Sequence, residues 1–156
     1  MSIEIRTMKK SDIRELSDMW YELASWHENM MEGYELSDSP KKGWKEFMKK
    51  GLSKENMITF VAEDGNEIVG FVSVVLRRRP PFFKQRDVGL ILDLFVKEKR
   101  RREGIGSKLI EQTEDWIKDN GVSLAVLTVA PVNQIAVDFW EKNGYDTYLE
   151  KKRKEL

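Results

Sequence analysis

The chain has 156 residues, no cysteine, one histidine, and lysine plus arginine balanced against aspartate plus glutamate at 27 each. That length suits a single domain over 1–156 with its own core, and the balanced charge supplies no field to recruit nucleic acid or an anionic membrane. Disulfides, thiolate catalysis and cysteine-held metal are excluded, the N-terminal MSIEIRTMKK lacks an apolar signal core, and no apolar run spans a membrane, so we expect a cytoplasmic, metal-free protein.

Residues 2–7 alternate apolar and polar, the period of a strand. Asp12 and Glu15 have capping spacing, and Ile13, Leu16, Trp20, Leu23, His27 and Met30 recur every three or four residues. This predicts a long amphipathic helix closed by Gly33. After a loop at 34–40, a short helix with Trp44, Phe47 and Met48 is expected over 41–51. MITFVAED and EIVGFVSVVL flank a turn at Asp64-Gly65-Asn66 and predict a hairpin, which Arg77-Arg78-Arg79-Pro80-Pro81 breaks. A central strand over 87–97, a helix over 104–120, a strand over 122–130, a helix over 133–143 and a last strand over 145–149 complete the order β-α-α-β-β-β-α-β-α-β. The class is α/β (α+β) with a mixed sheet, its later units having the alternation of parallel pairing.

The segment RRREGIGSK (100–108) stands at the mouth of the apolar strand LILDLFV. Paired glycines at a helix start allow close approach of an anion to free amides, which reads as a phosphate cradle; a basic, glycine-containing turn is the plainer reading. A Walker loop needs a different glycine spacing, and a dinucleotide fingerprint needs a third glycine where Leu109 stands. What does match is Arg/Gln-x-x-Gly-x-Gly/Ala, as Arg101-Arg102-Glu103-Gly104-Ile105-Gly106. Downstream, Asn133-Gln134-Ile135-Ala136-Val137-Asp138-Phe139-Trp140-Glu141-Lys142-Asn143-Gly144-Tyr145 follows Asn-x-x-Ala-x-x-Phe-Tyr-Glu-Lys-x-Gly-Phe. With both motifs and the element order, the chain resembles the GCN5-related N-acetyltransferase (GNAT) family. Leu-Asp-Leu-Phe-Val (92–96) and Gly-Ile-Gly-Ser (104–107) are similar to its diamine (spermidine/spermine) acetyltransferase branch.

The resemblance implies the GNAT fold, a six- to seven-stranded sheet with helices on both faces. It also implies acetyl-CoA as co-substrate, without metal, and direct attack by a primary amine, here a small cationic one. Leu94, Phe95 and Val96 would offer main-chain groups to the pantetheine arm, as if it were an added strand. Arg101 and the loop Arg102, Glu103, Gly104, Ile105, Gly106 and Ser107 would hold the pyrophosphate, both glycines keeping side chains out of its path. Asn133 and Ala136 would approach the cofactor, although Asn133 also reads as a helix N-cap.

Departures from the family pattern concern the chemistry. Trp140 stands where the family has a tyrosine acid; its indole can stabilise a thiolate but not protonate it, and it can equally be a packing residue. Tyr145 or Tyr148 could substitute as the acid. Asp93 interrupts an apolar run, as a desolvated general base or as a structural carboxylate. Leu92 replaces the glutamate of the diamine branch. His27 and Glu28 align with that branch's acceptor contacts, and Glu28, Glu32, Glu35 and Asp38 form an acidic stretch without lysine or arginine. That stretch is either a rim for a cationic amine or a solvated loop. The basic stretches at 77–79 and 151–154 read as a hairpin tip and a frayed tail. A strand edge left uncovered after the last strand points to a homodimer. The rival activities are peptide or protein acetylation, and acyl-CoA sensing without turnover.

Overall fold

Among the described residues, five strands and four α-helices follow in the order β1 (Ile3–Thr7), α1 (Ile13–Met30), α2 (Pro40–Gly51), β2 (Met57–Asp64), β3 (Glu67–Arg78), β4 (Asp87–Val96), α3 (Ile105–Asp119), β5 (Ala125–Val126) and α4 (Gln134–Lys142). This computed structural model describes residues 2–156. The sheet order is β1-β2-β3-β4-β5; β1 to β4 pair antiparallel, and β5 joins β4 in parallel because the connection crosses through α3. No helix among the described residues is long and apolar enough to cross a membrane.

Both faces of the central strands are covered, which is why β2 and β3 read as nearly continuous apolar runs. On one face Phe60, Val72, Val74 and Ile91 pack with Ile105, Leu109, Ile110 and Ile117 of α3. On the other, Val61, Phe71 and Phe95 pack with Leu16 and Met19 of α1 and Trp44 and Met48 of α2. Trp44 stacks on Trp20 with ring centroids 5.5 Å apart and meets Phe71 edge-on at 5.8 Å, so the aromatic layer fixes α1 to α2 over the sheet.

Three local expectations are corrected. Asp12 does not cap α1 with its side chain. Its Oδ2 instead accepts the Lys9 amide at 2.7 Å and pairs with Arg6 at 2.8 Å, and Arg6 also reaches Glu63 at 3.1 Å, tying β1 to β2. The helix ends at Met30, before Gly33, which makes the following turn with φ +82°. Finally, the sheet has five strands rather than six or seven. The strand expected over 122–130 is reduced to Ala125–Val126, because β4 offers it partners only at Gly89 and Leu90. No strand forms over 145–149. The start of that segment is held to helices instead: the Tyr145 amide donates to the Trp140 carbonyl at 2.9 Å and its hydroxyl to Glu114 Oε2 at 2.8 Å.

One polar pair lies inside the sheet's α1–α2 face. Thr59 and Ser73, both buried, share a hydroxyl hydrogen bond of 2.9 Å. Removing one partner leaves the other desolvated without compensation, so Thr59→Val should lose about 1–3 kcal/mol, whereas adding Ser73→Ala should restore most of it. Urea denaturation of the two variants measures this, and a double variant less stable than Thr59→Val would contradict the pairing.

Candidate active site

The site begins with an irregularity in β4. Ser73 pairs with Asp93 but Val74 pairs with Ile91, so Leu92 is an extra residue that bends the strand. On its other side β4 pairs with β5 only at Gly89–Ala125 and Leu90–Val126. Beyond the bulge the β4 edge is open. The Lys97 amide donates to the Val69 carbonyl at 2.9 Å, which sets the phase of the ladder. Asp93, Phe95 and Lys97 therefore turn their main-chain groups toward β3, and Leu94 and Val96 turn theirs toward the open edge. Phe95 thus differs from its two neighbours; its ring is buried on the α1 side.

At the end of β4 a short 3-10 turn over Glu98–Arg100 leads to α3. Arg100 clamps this loop, bonding Asp64 at 2.8 Å and Glu103 at 3.0 Å, and Arg101 Nε donates to the Val96 carbonyl at 3.0 Å. Arg101, one of the two cations expected at the cofactor, is thus committed with Arg100 to holding the loop. Arg102 and Gly104 adopt left-handed φ values of 69° and 81°. Gly104 is the N-cap of α3 with no side-chain cap, and the helical ladder opens with the Lys108 amide donating to the Gly104 carbonyl. The amides of Ile105, Gly106 and Ser107 therefore lack an acceptor within the helix, and the dipole adds positive potential. No atom lies within 4 Å of where a Gly104 Cβ would stand. Open space, unpaired donors and a helix start together suit a pyrophosphate. Gly106 has a different reason to be glycine: a Cβ there would sit 3.0 Å from the Phe139 ring, so its absence lets α4 approach α3.

On α4, Asn133 Oδ1 accepts the Ala136 amide at 3.1 Å, a true N-cap, and Ala136 packs against the α3-side core. Trp140 is buried with its ring edge-on to Phe139 at 5.1 Å and to Tyr145 at 5.2 Å. The Tyr145 hydroxyl is committed to Glu114, and burial followed by that carboxylate push its pKa above the ordinary phenol value. Tyr148 is exposed.

Asp93 lies on the α1–α2 face opposite Ser73. Desolvation pushes its carboxyl up to about 6, against a smaller opposing pull from the Trp44 indole as hydrogen-bond donor. On the same side of the sheet a wide groove of about 470 Å³ runs between α1 and the end of β4, lined by Asp18, Met19, Tyr21, Glu22, Ser25, Phe95 and Lys97. The α1 residues of this groove went unselected in the sequence, although Asp18, Glu22 and Ser25 fall at helical spacing on one face. Lys41 partly screens it, pairing with Asp18 at 2.8 Å and standing over the Tyr21 ring at 5.0 Å. His27 and Glu28 are occupied locally: His27 Nδ1–H donates to the Leu23 carbonyl at 3.0 Å, and Glu28 Oε2 accepts the Leu36 amide at 2.6 Å, which pins the loop after α1. Among the described residues no three histidine or carboxylate side chains gather where they could hold a metal ion.

The family described as Acetyltransferase (GNAT) family matches residues 18–145. The chain belongs to the GNAT family. It is 30% identical over 138 residues to an N-acetyltransferase of Archaeoglobus fulgidus, covering 88% of this chain and 89% of the relative. It is 25% identical over 146 residues to the N-acetyltransferase YhfO of Bacillus subtilis, covering 92% and 90%. Among solved structures, the aminoglycoside N-acetyltransferase AAC(6')-Iy in complex with CoA superposes with a TM-score of 0.80 at 17% identity, covering 99% of this chain and 96% of that one, a likeness of fold. This GNAT chain is an acetyl-CoA-dependent N-acetyltransferase, and the open β4 edge with the free α3 start is a fitting place for its co-substrate.

The two glycines separate by experiment. Gly106→Val should lower thermal stability by about 1–3 kcal/mol through overpacking, and Phe139→Ala in the same chain should return part of that loss. Calorimetric melting measures this; strictly additive losses would contradict the assignment of Gly106 to helix packing.

Proposed function

We propose that this GNAT chain acts as a single cytoplasmic domain that acetylates the primary amine of a small cationic acceptor, with Asp93 as general base. The observation that carries the reading is the position of Asp93: a desolvated carboxyl next to the bulge, on the face opposite α3, on the strand whose far edge is open. The main-chain groups of Leu94 and the amide of Val96 pair with the pantetheine arm in place of a strand, the Val96 carbonyl being held by Arg101. The amides of the 102–107 loop hold the pyrophosphate, and Asn133 and Ala136 close the same edge from α4. Acetyl-CoA supplies the thioester carbon that the amine attacks.

The acceptor enters from the α1 side, where Glu22 offers a carboxylate to an ammonium group and Asp18 can exchange its Lys41 partner for a second one. Asp93 takes the proton that the amine must lose, and the amine attacks in a geometry set by the strand edge. Trp140 contributes packing and no proton, since an indole has none to give near neutral pH. A thiolate with an ordinary pKa of about 8.5 departs without an obligatory acid. AAC(6')-Iy is an aminoglycoside acetyltransferase, which supports a polycationic acceptor here. The Leu-Asp-Leu-Phe-Val and Gly-Ile-Gly-Ser segments support a diamine, with Leu92 in place of that branch's glutamate setting a different preference among amines. The short β5 leaves an outer sheet edge that a second copy would cover, as a homodimer.

The test is acetyl-CoA-dependent thiol release across polyamines, aminoglycosides and short peptides. Turnover on the small polycations is expected. Turnover confined to peptides would move the assignment to a protein acetyltransferase, and CoA binding without any turnover to a sensor. Asp93→Asn should lower kcat by about 10²- to 10⁴-fold while leaving CoA affinity intact. A base must be deprotonated to act, so wild-type kcat/KM should rise as pH passes about 6, and this rise should be absent in Asp93→Asn. An unchanged pH profile in the variant would remove Asp93 from the role.

A further inference from the structure

Lys151-Lys152-Arg153-Lys154, all exposed, follow a segment with no strand or helix and precede Glu155-Leu156. Four adjacent cations repel one another and are expected to fray into solvent. The tail is instead anchored. The Arg153 guanidinium donates through Nη1 to the main-chain carbonyl of Glu32, just beyond the end of α1. The same nitrogen would lie 3.1 Å from a Cβ at Gly33, so the glycine that makes the turn also leaves room for the arginine. The surroundings favour a cation: Glu28, Glu32, Glu35 and Asp38 lie between residues 27 and 40 with no lysine or arginine among them.

This anchor lies at the end of the helix that lines the acceptor groove. Asp18, Tyr21, Glu22 and Ser25 of α1 form one wall of the groove. Leu23 packs into the same core cluster as Leu92, the neighbour of Asp93. From Leu23 to the end of α1 at Met30 the helical rise amounts to about 10 Å, and Met31 and Glu32 beyond it add at most about 7 Å. Lys152 and Lys154 stand one residue from Arg153 and Lys151 two, about 3–7 Å of extended chain, and the arginine and lysine side chains cover the rest. The tail therefore holds three primary amines within reach of the site that acetylates amines.

We propose that this enzyme acetylates its own C-terminal tail in cis, on the ε-amines among Lys151, Lys152 and Lys154. The inference rests on the transferase reading above and adds a covalent modification site to it. A lysine ammonium gives one proton to Asp93, and its freed nitrogen attacks the acetyl carbonyl of acetyl-CoA. The N–C bond forms, the C–S bond breaks with its electron pair going to the CoA sulfur, the second proton leaves the nitrogen for that thiolate, and the products are an Nε-acetyl-lysine and the CoA thiol. Each event removes one positive charge from the tail and weakens its attraction to the acidic loop.

The experiment incubates the full chain with acetyl-CoA and no added amine, follows it by intact mass, and maps the modified lysines by peptide mass spectrometry. Lys49 and Lys50, exposed on α2, report uncatalysed acetylation. Tethering near the site should make the tail lysines react at least about tenfold faster than these two, at a rate independent of protein concentration. Arg153→Gln should slow tail acetylation severalfold while an added polyamine is still acetylated at the wild-type rate. Tail lysines that react no faster than Lys49 and Lys50, in a preparation that acetylates an added amine, would overturn this proposal alone. A rate rising with protein concentration would overturn the cis geometry, and acetylation of neither the tail nor any amine would overturn the transferase reading as well.

Discussion

Where β4 parts from β5, backbone groups in the middle of a sheet are left without a neighbouring strand, and the rest of the site is arranged around that gap. A mid-sheet main chain with unpaired donors and acceptors is unfavourable unless water or a ligand satisfies them. The bulge at Leu92 bends β4 away just after its last parallel pair with β5, and Leu94 and Val96 inherit the open side. The parallel crossover then places the start of α3 at the carboxyl end of the same strand, the location where α/β sheets commonly receive ligands. Strand edge and helix start are therefore two consequences of one topology. Arg100, bridging Asp64 and Glu103, fixes the connecting loop, and Arg101 bonds the Val96 carbonyl at the edge.

The opposite face supplies the chemistry. Asp93 interrupts an apolar surface on the face that the Trp44–Trp20 stack covers, where burial raises its pKa and a Trp44 hydrogen bond opposes the rise. The same α1 carries the acidic side of the groove and, just past its end, the carbonyl that receives Arg153. One helix thus relates acceptor entry, base environment and tail anchorage, and a change in its seating would be felt at all three. Trp140 illustrates the reverse case, a motif position taken over by packing: with Phe139 and Tyr145 it forms an aromatic edge-on row that seats α4, and the nearby Tyr145 hydroxyl is already bonded to Glu114.

Much of this was legible from residue order. Residue order located all four helices, the first by its apolar periodicity, and the glycine and asparagine motifs marked the loop before α3 and the cap of α4. What stayed hidden depends on distant partners. Gly104 and Gly106 look equivalent in the sequence, but one adopts a left-handed conformation beside open space while the other faces the Phe139 ring, which only the approach of α4 reveals. The phase of β4 required knowing that Lys97 bonds to Val69, and without it Phe95 is indistinguishable from Leu94 and Val96. Asp12 has the spacing of a cap, yet Arg6 and the Lys9 amide claim its carboxylate. Residues 145–149 carry a strand-like pattern but lack a strand to pair with, since β5 itself stops at Val126.

The most direct test of the open β4 edge is amide hydrogen exchange measured residue by residue along β4 with and without CoA. The amides of Asp93 and Phe95 already face β3 and should change little, whereas those of Leu94 and Val96 should become markedly protected when CoA binds. CoA binding that leaves Leu94 and Val96 exchanging at their free rates would contradict the assignment of this edge to the co-substrate.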